Sequence, residues 1–347
     1  MERALLHRMP KCELHLHLDG SLRPATILEL ADQQGVALPV ADEAALVAAV
    51  TPPSEGASLE RYLAAFGITC SVLGTADALY RVTWELLEDL HAEHVTYAEI
   101  RYSPRVLPPG MDASRAVEAV GSSMRDAERS LGIVARQILC AMRHEPPEAG
   151  EGVARLAARS RAHGVVAFDL AGAEAPNPPE PHAAAFRIAR AAGLAATVHA
   201  GEAAGPESIR GAIAALGARR IGHGTHLPED PALTSLVREQ GITIEACLTS
   251  NVQTGAVASL AAHPLRAWLD AGLRVAICTD NRLVSGVTVT DEFERACAHH
   301  ALGPDDLRAL TRNAFEAAFL PPEQREALRD DALGELDALL RAAPPAE

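Results

Sequence analysis

The chain has one lysine, Lys11; its other fixed cations are all arginines. It has no apolar run long enough to span a bilayer, and Met1-Glu2-Arg3 does not lead into a signal-like apolar core. These absences lead us to expect a soluble cytoplasmic protein with no membrane partner. None of the six cysteines is paired as Cys-x-x-Cys. Several lie in apolar, strand-like runs where a free thiol behaves as a small hydrophobe, so neither a disulfide framework nor a cysteine zinc site is expected. No Gly-x-Gly-x-x-Gly follows the first strand, which removes support for a dinucleotide-binding sheet. Positive charge is also short: the net charge is −15, which repels a phosphate backbone and argues against a nucleic-acid partner.

The chain does have enough apolar residues for a large core, 48% of 347. It also has a repeated alternation of strand and helix patterns. From Lys11 to Leu18 the residues alternate, with Glu13, His15 and His17 on one face and Cys12, Leu14, Leu16 and Leu18 on the other. Further strands are predicted at Val95–Arg101, Val134–Ala141, Val165–Leu170, Ala195–His199, Arg219–Gly224, Thr243–Leu248 and Arg274–Asp280. Helical patterns separate them. Eight such units without a linker predict a parallel (β/α)8 barrel forming a single domain over residues 1–347, with an open doubly wound sheet as the alternative. Helices filling most of Ala41 to Glu93, interrupted at Thr51-Pro52-Pro53, form an insertion after strand 1 that is expected to cover the barrel mouth. A helical extension runs from about Asp291 to Arg341.

Active sites of such barrels lie at the C-terminal ends of the strands. Here those ends carry His15 and His17, Arg101, Gly172, His199 with Glu202, His223, and Asp280 with Asn281. Two histidines spaced by two on a strand point to one face, and an inward face needs a metal or hydrogen bonds to satisfy them. His15, His17, His199 and Asp280 form a nitrogen and oxygen set that suits Zn2+. Two-metal barrel hydrolases often bridge their metals with a carbamylated lysine from a middle strand. Lys11 stands at the start of the first strand, so a centre of that kind is excluded and one metal is expected. Zinc lowers the pKa of a water it holds from 15.7 to about 7, and hydrolysis then requires an acid and a stabilising donor. Glu202 and His223 stand where these are needed. The plainer readings are a helix-start carboxylate for Glu202 and a turn histidine for His223.

The motifs His15-Leu16-His17-Leu18-Asp19-Gly20, Thr197-Val198-His199-Ala200-Gly201-Glu202, Arg220-Ile221-Gly222-His223-Gly224, Leu248-Thr249-Ser250-Asn251 and Thr279-Asp280 resemble the adenosine deaminase family, in order and over nearly the whole chain. The resemblance implies a zinc enzyme that deaminates adenosine, and deoxyadenosine too, to inosine and ammonia. His15, His17, His199 and Asp280 would bind the metal, and Asp280 could also take a proton from the water. Glu202 would protonate purine N1 and His223 would assist attack at C6. The backbone N–H of Gly172 would meet ring N3, and Asp19 the ribose 5′ region. The familiar pattern has a second aspartate where this chain has Asn281. An asparagine amide can donate to purine N7 at any pH, with its oxygen expected on a neighbouring donor. A deaminase of a 5′-extended adenosine such as aminodeoxyfutalosine is the nearest alternative. The extension would be read by Thr51 to Phe66. Free adenine and a catalytically silent zinc-binding scaffold are the others. The nucleic-acid deaminases with His-x-Glu and Pro-Cys-x-x-Cys signatures are excluded by motif and charge.

Overall fold

The computed structural model describes residues 1–52 and 57–342. Eight parallel strands follow one another around a barrel in chain order: β1 (Lys11–His17), β2 (Val95–Tyr102), β3 (Val134–Met142), β4 (Val165–Ala171), β5 (Ala195–Ala200), β6 (Arg220–His223), β7 (Thr243–Ala246) and β8 (Arg274–Ile277). Just beyond β8 the backbone closes onto β1. His17 N–H donates to the Asp280 carbonyl at 2.7 Å and Asp280 N–H to the His15 carbonyl at 2.8 Å, a parallel bridge between Leu16 and Asp280. The first strand is therefore tied at its tip to the loop that carries Asp280.

Both faces of these strands are buried, for different reasons. The outward face (Leu16, Ala98, Ile100, Phe168, Val198, Ile221, Ile244, Val275) packs on the surrounding helices in one continuous apolar cluster. Inside, the lower barrel is built from ions instead of aliphatics. Arg101 donates to Asp169 and Glu245, both at 2.9 Å, and Arg220 pairs with Glu99 and Glu245. Removing one partner from such a buried set leaves an uncompensated charge, so each member depends on the others. Glu13 belongs to the same layer, accepting from the Thr279 hydroxyl at 2.8 Å and the Thr279 amide at 3.1 Å. Arg101, which stands among the strand ends in the sequence, therefore faces this ionic floor and does not line the cavity above it.

Lys11 lies at the opposite pole from the strand tips. Its ammonium donates to the carbonyls of His7, Met9 and Glu93 at 2.7–3.0 Å, and burial pushes its pKa down to about 7.

The insertion after β1 is a series of helices: Pro24–Gln34, Glu43–Val50, Leu59–Leu63, Phe66–Thr69 and Ala76–Ala92. Leu59, Tyr62, Leu63 and Phe66 roof the cavity at the barrel mouth. The Tyr62 hydroxyl, 2.7 Å from Ser285 Oγ, latches that roof to the segment after β8. Residues 53–56 of the stretch expected to read a 5′ extension lie outside the described residues.

Several boundaries differ from the sequence pattern: the eighth strand, expected to reach Asp280, ends at Ile277, which leaves Asp280 on the loop beyond it. The seventh strand stops at Ala246, and Leu248–Gln253 is a helix, which swings Ser250 and Asn251 into the barrel mouth. The C-terminal extension is three helices, Val289–His300, Pro304–Ala317 and Pro322–Ala342, interrupted where Ala301 turns left-handed at φ 50° and again before Pro321.

Candidate metal centre and active site

Four strand tips deliver polar side chains to the same region. β1 brings His17 and, beneath it, His15; β5 brings His199. At the end of β6 and beyond β8, His223 and Asp280 sit in left-handed backbone at φ 68° and 61°. That conformation is uncommon for residues with a Cβ and is held only where the surroundings determine it. At Gly222 the missing side chain matters, because a Cβ there would stand 2.7 Å from Cε1 of His15. The Ile-Gly-His sequence of β6 thus makes room for the first histidine and then presents the last.

The donor atoms converge. Those of His15, His199, His223 and Asp280 lie within 4.8 Å of one another. Nε2 of His17 is 3.1 Å from Nε2 of His199 and 3.4 Å from Oδ1 of Asp280. The far nitrogens fix what faces the centre. His15 Nδ1 is 2.7 Å from Glu245 and His199 Nδ1 is 3.0 Å from Asp169. A carboxylate partner draws the proton to Nδ1 and leaves Nε2 bare, the arrangement in which histidines hold a metal. Nε2 of His15 is buried with no hydrogen-bond partner, and Nε2 of His17 faces the bare Nε2 of His199. Alone, His17 can donate its N–H to the His199 lone pair; a cation beside both rings would take both nitrogens as ligands. Three imidazole nitrogens and Asp280 Oδ1, 3.4 Å from His15 Nε2, are donors that fit zinc.

The electrostatics favour neutral rings at His17 and His199 and differ at His15. Burial takes His17 and His199 below the usual histidine range, so both are neutral and able to ligate. Burial and Arg101 act the same way on His15, but the carboxylates of Asp280 and Glu245 outweigh them and raise it. Burial would raise Asp280, yet its bond to His15 and the surrounding imidazoles hold it far below the usual carboxylate range. Its second oxygen accepts from Ser250 Oγ at 2.6 Å.

Glu202 is the contrasting carboxyl. It is buried, Oε1 has no partner, and Oε2 is 3.6 Å from His223 Nε2. Burial, followed by the charges of Asp280 and Glu174, pushes it up to about 8. It therefore carries its proton at neutral pH. It is not a helix-start residue: the next helix begins at Pro206, with Glu207 in its first turn.

Glu174, which no sequence motif singled out, fixes the Glu202 loop. Its carboxylate accepts from the amides of Gly201 (2.7 Å), Glu202 (2.9 Å), Ala203 (2.7 Å) and Ala204 (3.2 Å), and from Ser208 Oγ (2.5 Å). Four successive N–H groups pointing at one anion form a nest, and this one encloses a side chain. Gly201, at φ 73°, supplies the left-handed turn the nest requires. Arg143 braces the same tip by donating to the carbonyl of His199.

The remaining expected residues also line the cavity. Asp19 is buried and raised by desolvation to about 7, with Oδ1 3.8 Å from His17 Nδ1. Gly172 and Asn281 face the same space. The Asn281 side-chain oxygen was expected on a neighbouring donor, but it has none. It lies over Gly20, where a Cβ would be 1.8 Å away, because the Asp19-Gly20 turn brings only backbone to that point.

A (β/α)8 barrel with a zinc-fitting set, a protonated carboxyl and a histidine at one mouth defines a metal-dependent hydrolase. The adenosine deaminase family profile matches residues 10–333. An adenosine deaminase from Mycobacterium leprae is 41% identical, over 94% of this chain and 95% of that protein. Among solved structures, adenine deaminase from Arthrobacter aurescens superposes with a TM-score of 0.89 at 27% identity, covering 96% of this chain and 100% of that one. An amidohydrolase from Burkholderia ambifaria, solved with bound zinc, gives 0.90 at 28%, covering 98% and 93%. The chain belongs to the adenosine deaminase family, whose members are zinc-dependent aminohydrolases.

Proposed function

We propose that this protein hydrolyses the 6-amino group of adenosine and deoxyadenosine, giving the inosine product and ammonia. The observation that carries the reading is the contrast between two buried carboxyls at one cavity floor. Asp280 is ionised among imidazoles, and Glu202 is raised to about 8 and protonated. Paired groups driven apart in this way divide the work of binding a cation and supplying a proton.

Zinc held by His15, His17, His199 and Asp280 supplies Lewis acidity and an activated water at neutral pH. Glu202 donates its proton to purine N1, which drains electron density from C6 and opens it to attack. His223, on the other side of the cavity from the roof, directs Nε2 toward the oxygen arriving at C6. Oδ1 of Asp280 faces the cavity and is suited to take a proton from the attacking water, while Ser250 holds Oδ2. As the C6–N bond breaks, the proton that Asp280 took from water passes to the amine, which leaves as ammonia; the oxygen stays on C6, and its remaining proton restores Glu202 while N1 keeps its own. Asp19 is the residue for the ribose 5′ hydroxyl, Gly172 for ring N3 and Asn281 for N7.

Among the described residues lining the cavity there is no lysine or arginine, and Asp19 stands at the ribose end. A 5′-phosphate or a carboxylated 5′ extension would meet an acid there and no cation, which favours an uncharged nucleoside. The test is ultraviolet absorbance of deamination across adenosine, deoxyadenosine, adenine, AMP and a 5′-carboxyaryl adenosine. The highest kcat/KM is expected for adenosine or deoxyadenosine. A tenfold preference for any of the other three would overturn the assignment.

A further inference from the structure

We infer that Asn251 and His263 are positioning residues that hold His223 in the tautomer with its proton on Nε2, so that it donates into the cavity and stays out of the metal-ligand set. The inference rests on a hydrogen-bond chain whose direction is set at its far end. The backbone N–H of Leu265 lies 3.2 Å from His263 Nδ1, and a backbone amide can only donate. His263 is buried and pushed down to about 3 by desolvation, so it is neutral and carries one proton. With Nδ1 accepting, that proton is on Nε2. His263 Nε2 is 3.1 Å from Asn251 Oδ1, where an N–H finds its acceptor. This fixes which end of the Asn251 amide is which: Nδ2 faces His223 Nδ1 at 2.9 Å and donates to it. His223 Nδ1 is therefore an acceptor, and its proton resides on Nε2, 3.6 Å from Glu202.

The chain is enclosed. Asn251 and His223 are nearly without solvent exposure, and the His263 ring packs edge-on against Trp268 at 5.2 Å between centroids. Water cannot substitute for a missing member, and an amide with both ends engaged cannot rotate without losing two bonds. The chain also divides the imidazoles at the centre. His15 and His199 are bonded through Nδ1 to carboxylates, which leaves Nε2 bare for a cation. His223 is bonded through Nδ1 to an amide donor, which does the reverse. Of the four histidines at the centre, two back onto carboxylates and one onto an amide donor, and the partner behind each of these rings decides its role.

Asn251→Asp tests this with no change in size. A carboxylate can only accept, so it draws the proton of His223 to Nδ1 and leaves Nε2 bare. Long-range proton–nitrogen correlation on 15N-histidine-labelled protein reads the tautomer directly, with the His223 signals assigned by their loss in His223→Gln. The wild type is expected to show a protonated Nε2 and a bare Nδ1, and Asn251→Asp the reverse. Resting on the deaminase reading, the kinetic arm expects kcat for adenosine to fall about 10²–10⁴-fold with KM within about threefold and zinc content unchanged. His263→Phe, which frees the amide to rotate, should lower kcat in the same sense by about tenfold or more. A wild-type His223 protonated on Nδ1 would overturn the inference, as would Asn251→Asp with unaltered kcat. Because the tautomer is read without substrate, failure of the deaminase reading leaves that arm decisive. If Asn251→Asp does not fold, the wild-type spectrum and His263→Phe decide.

Discussion

Replacing Glu174 by glutamine exchanges one oxygen for an NH2 group and removes one charge, at a carboxylate that accepts five hydrogen bonds. The less costly orientation turns the NH2 toward Ser208, whose hydroxyl can accept, and leaves the Gly201 amide facing another donor. A buried donor without a partner costs about 1–3 kcal/mol, and the three bonds kept by the other oxygen lose their charge assistance. Together these give a loss of about 2–5 kcal/mol. Unfolding entropy of about 2.1 cal/mol/K per residue over 347 residues is about 0.7 kcal/mol/K, so Tm should fall by about 3–7 °C. The second consequence is electrostatic. Glu174 is one of the charges that raise Glu202, so its removal lowers Glu202 toward the ordinary range. The catalytic form of Glu202 is the protonated one, present below its pKa and lost as pH rises through it. The alkaline limb of kcat should lie at or below about pH 8 in the wild type, since a bound dication acts against the upward shift, and should move to lower pH in Glu174→Gln. Calorimetry and a pH profile of adenosine turnover check the two parts. A variant with unchanged Tm and an unmoved alkaline limb would refute the nest as the support of Glu202.

Glu202→Gln should keep its zinc and its fold while losing about 10²–10⁴-fold in kcat, read by absorbance and elemental analysis, because the amide has no proton to give to N1. His17→Ala should lose metal and activity together, since Nε2 of His17 stands 3.1 Å from that of His199 and 3.4 Å from Asp280 Oδ1, where one cation would take all three as ligands. Elemental analysis should find one zinc per chain in the wild type; two would contradict a centre whose only lysine is at the opposite pole. If the Asn281 amide donates to purine N7, the 7-deaza analogue of adenosine should be poorer by roughly ten- to a hundredfold in kcat/KM, from about 1–3 kcal/mol for the unpaired donor. Equal turnover of the two substrates would remove Asn281 from N7 recognition.

Much of the site is legible in the sequence because strand periodicity and a strand's last residue are local properties. Eight β-favouring runs place His15, His17, His199, His223 and Asp280 at one pole once a barrel is assumed, and the structure brings them together. The partners behind those residues are not local. Glu174 meets the Glu202 loop across 27 to 34 residues, Glu245 meets His15 across 230, and Asp169 meets His199 across 30. Nothing in the Ala-Gly-Ala-Glu sequence around Glu174 separates it from a solvated acid. Asn251 stands in a motif that carried the family resemblance, but the early end of β7 gives it its place at the barrel mouth. Arg101 reads as a strand-end site residue, yet it is absorbed by Asp169 and Glu245, because the lower barrel is ionic and needs a cation. The unpaired oxygen of Asn281 depends on the backbone-only approach of Gly20, which a residue list cannot show.

Hydrolysis at C6 of an intact nucleoside is tested most directly by incubating the zinc-loaded protein with adenosine in H2(18)O, followed by mass spectrometry. The expected result is inosine carrying one 18O on the base, released with one equivalent of ammonia, and formed about 10²–10⁴-fold more slowly by Glu202→Gln. Unchanged adenosine, or cleavage to free adenine and ribose with the amine retained, would contradict it.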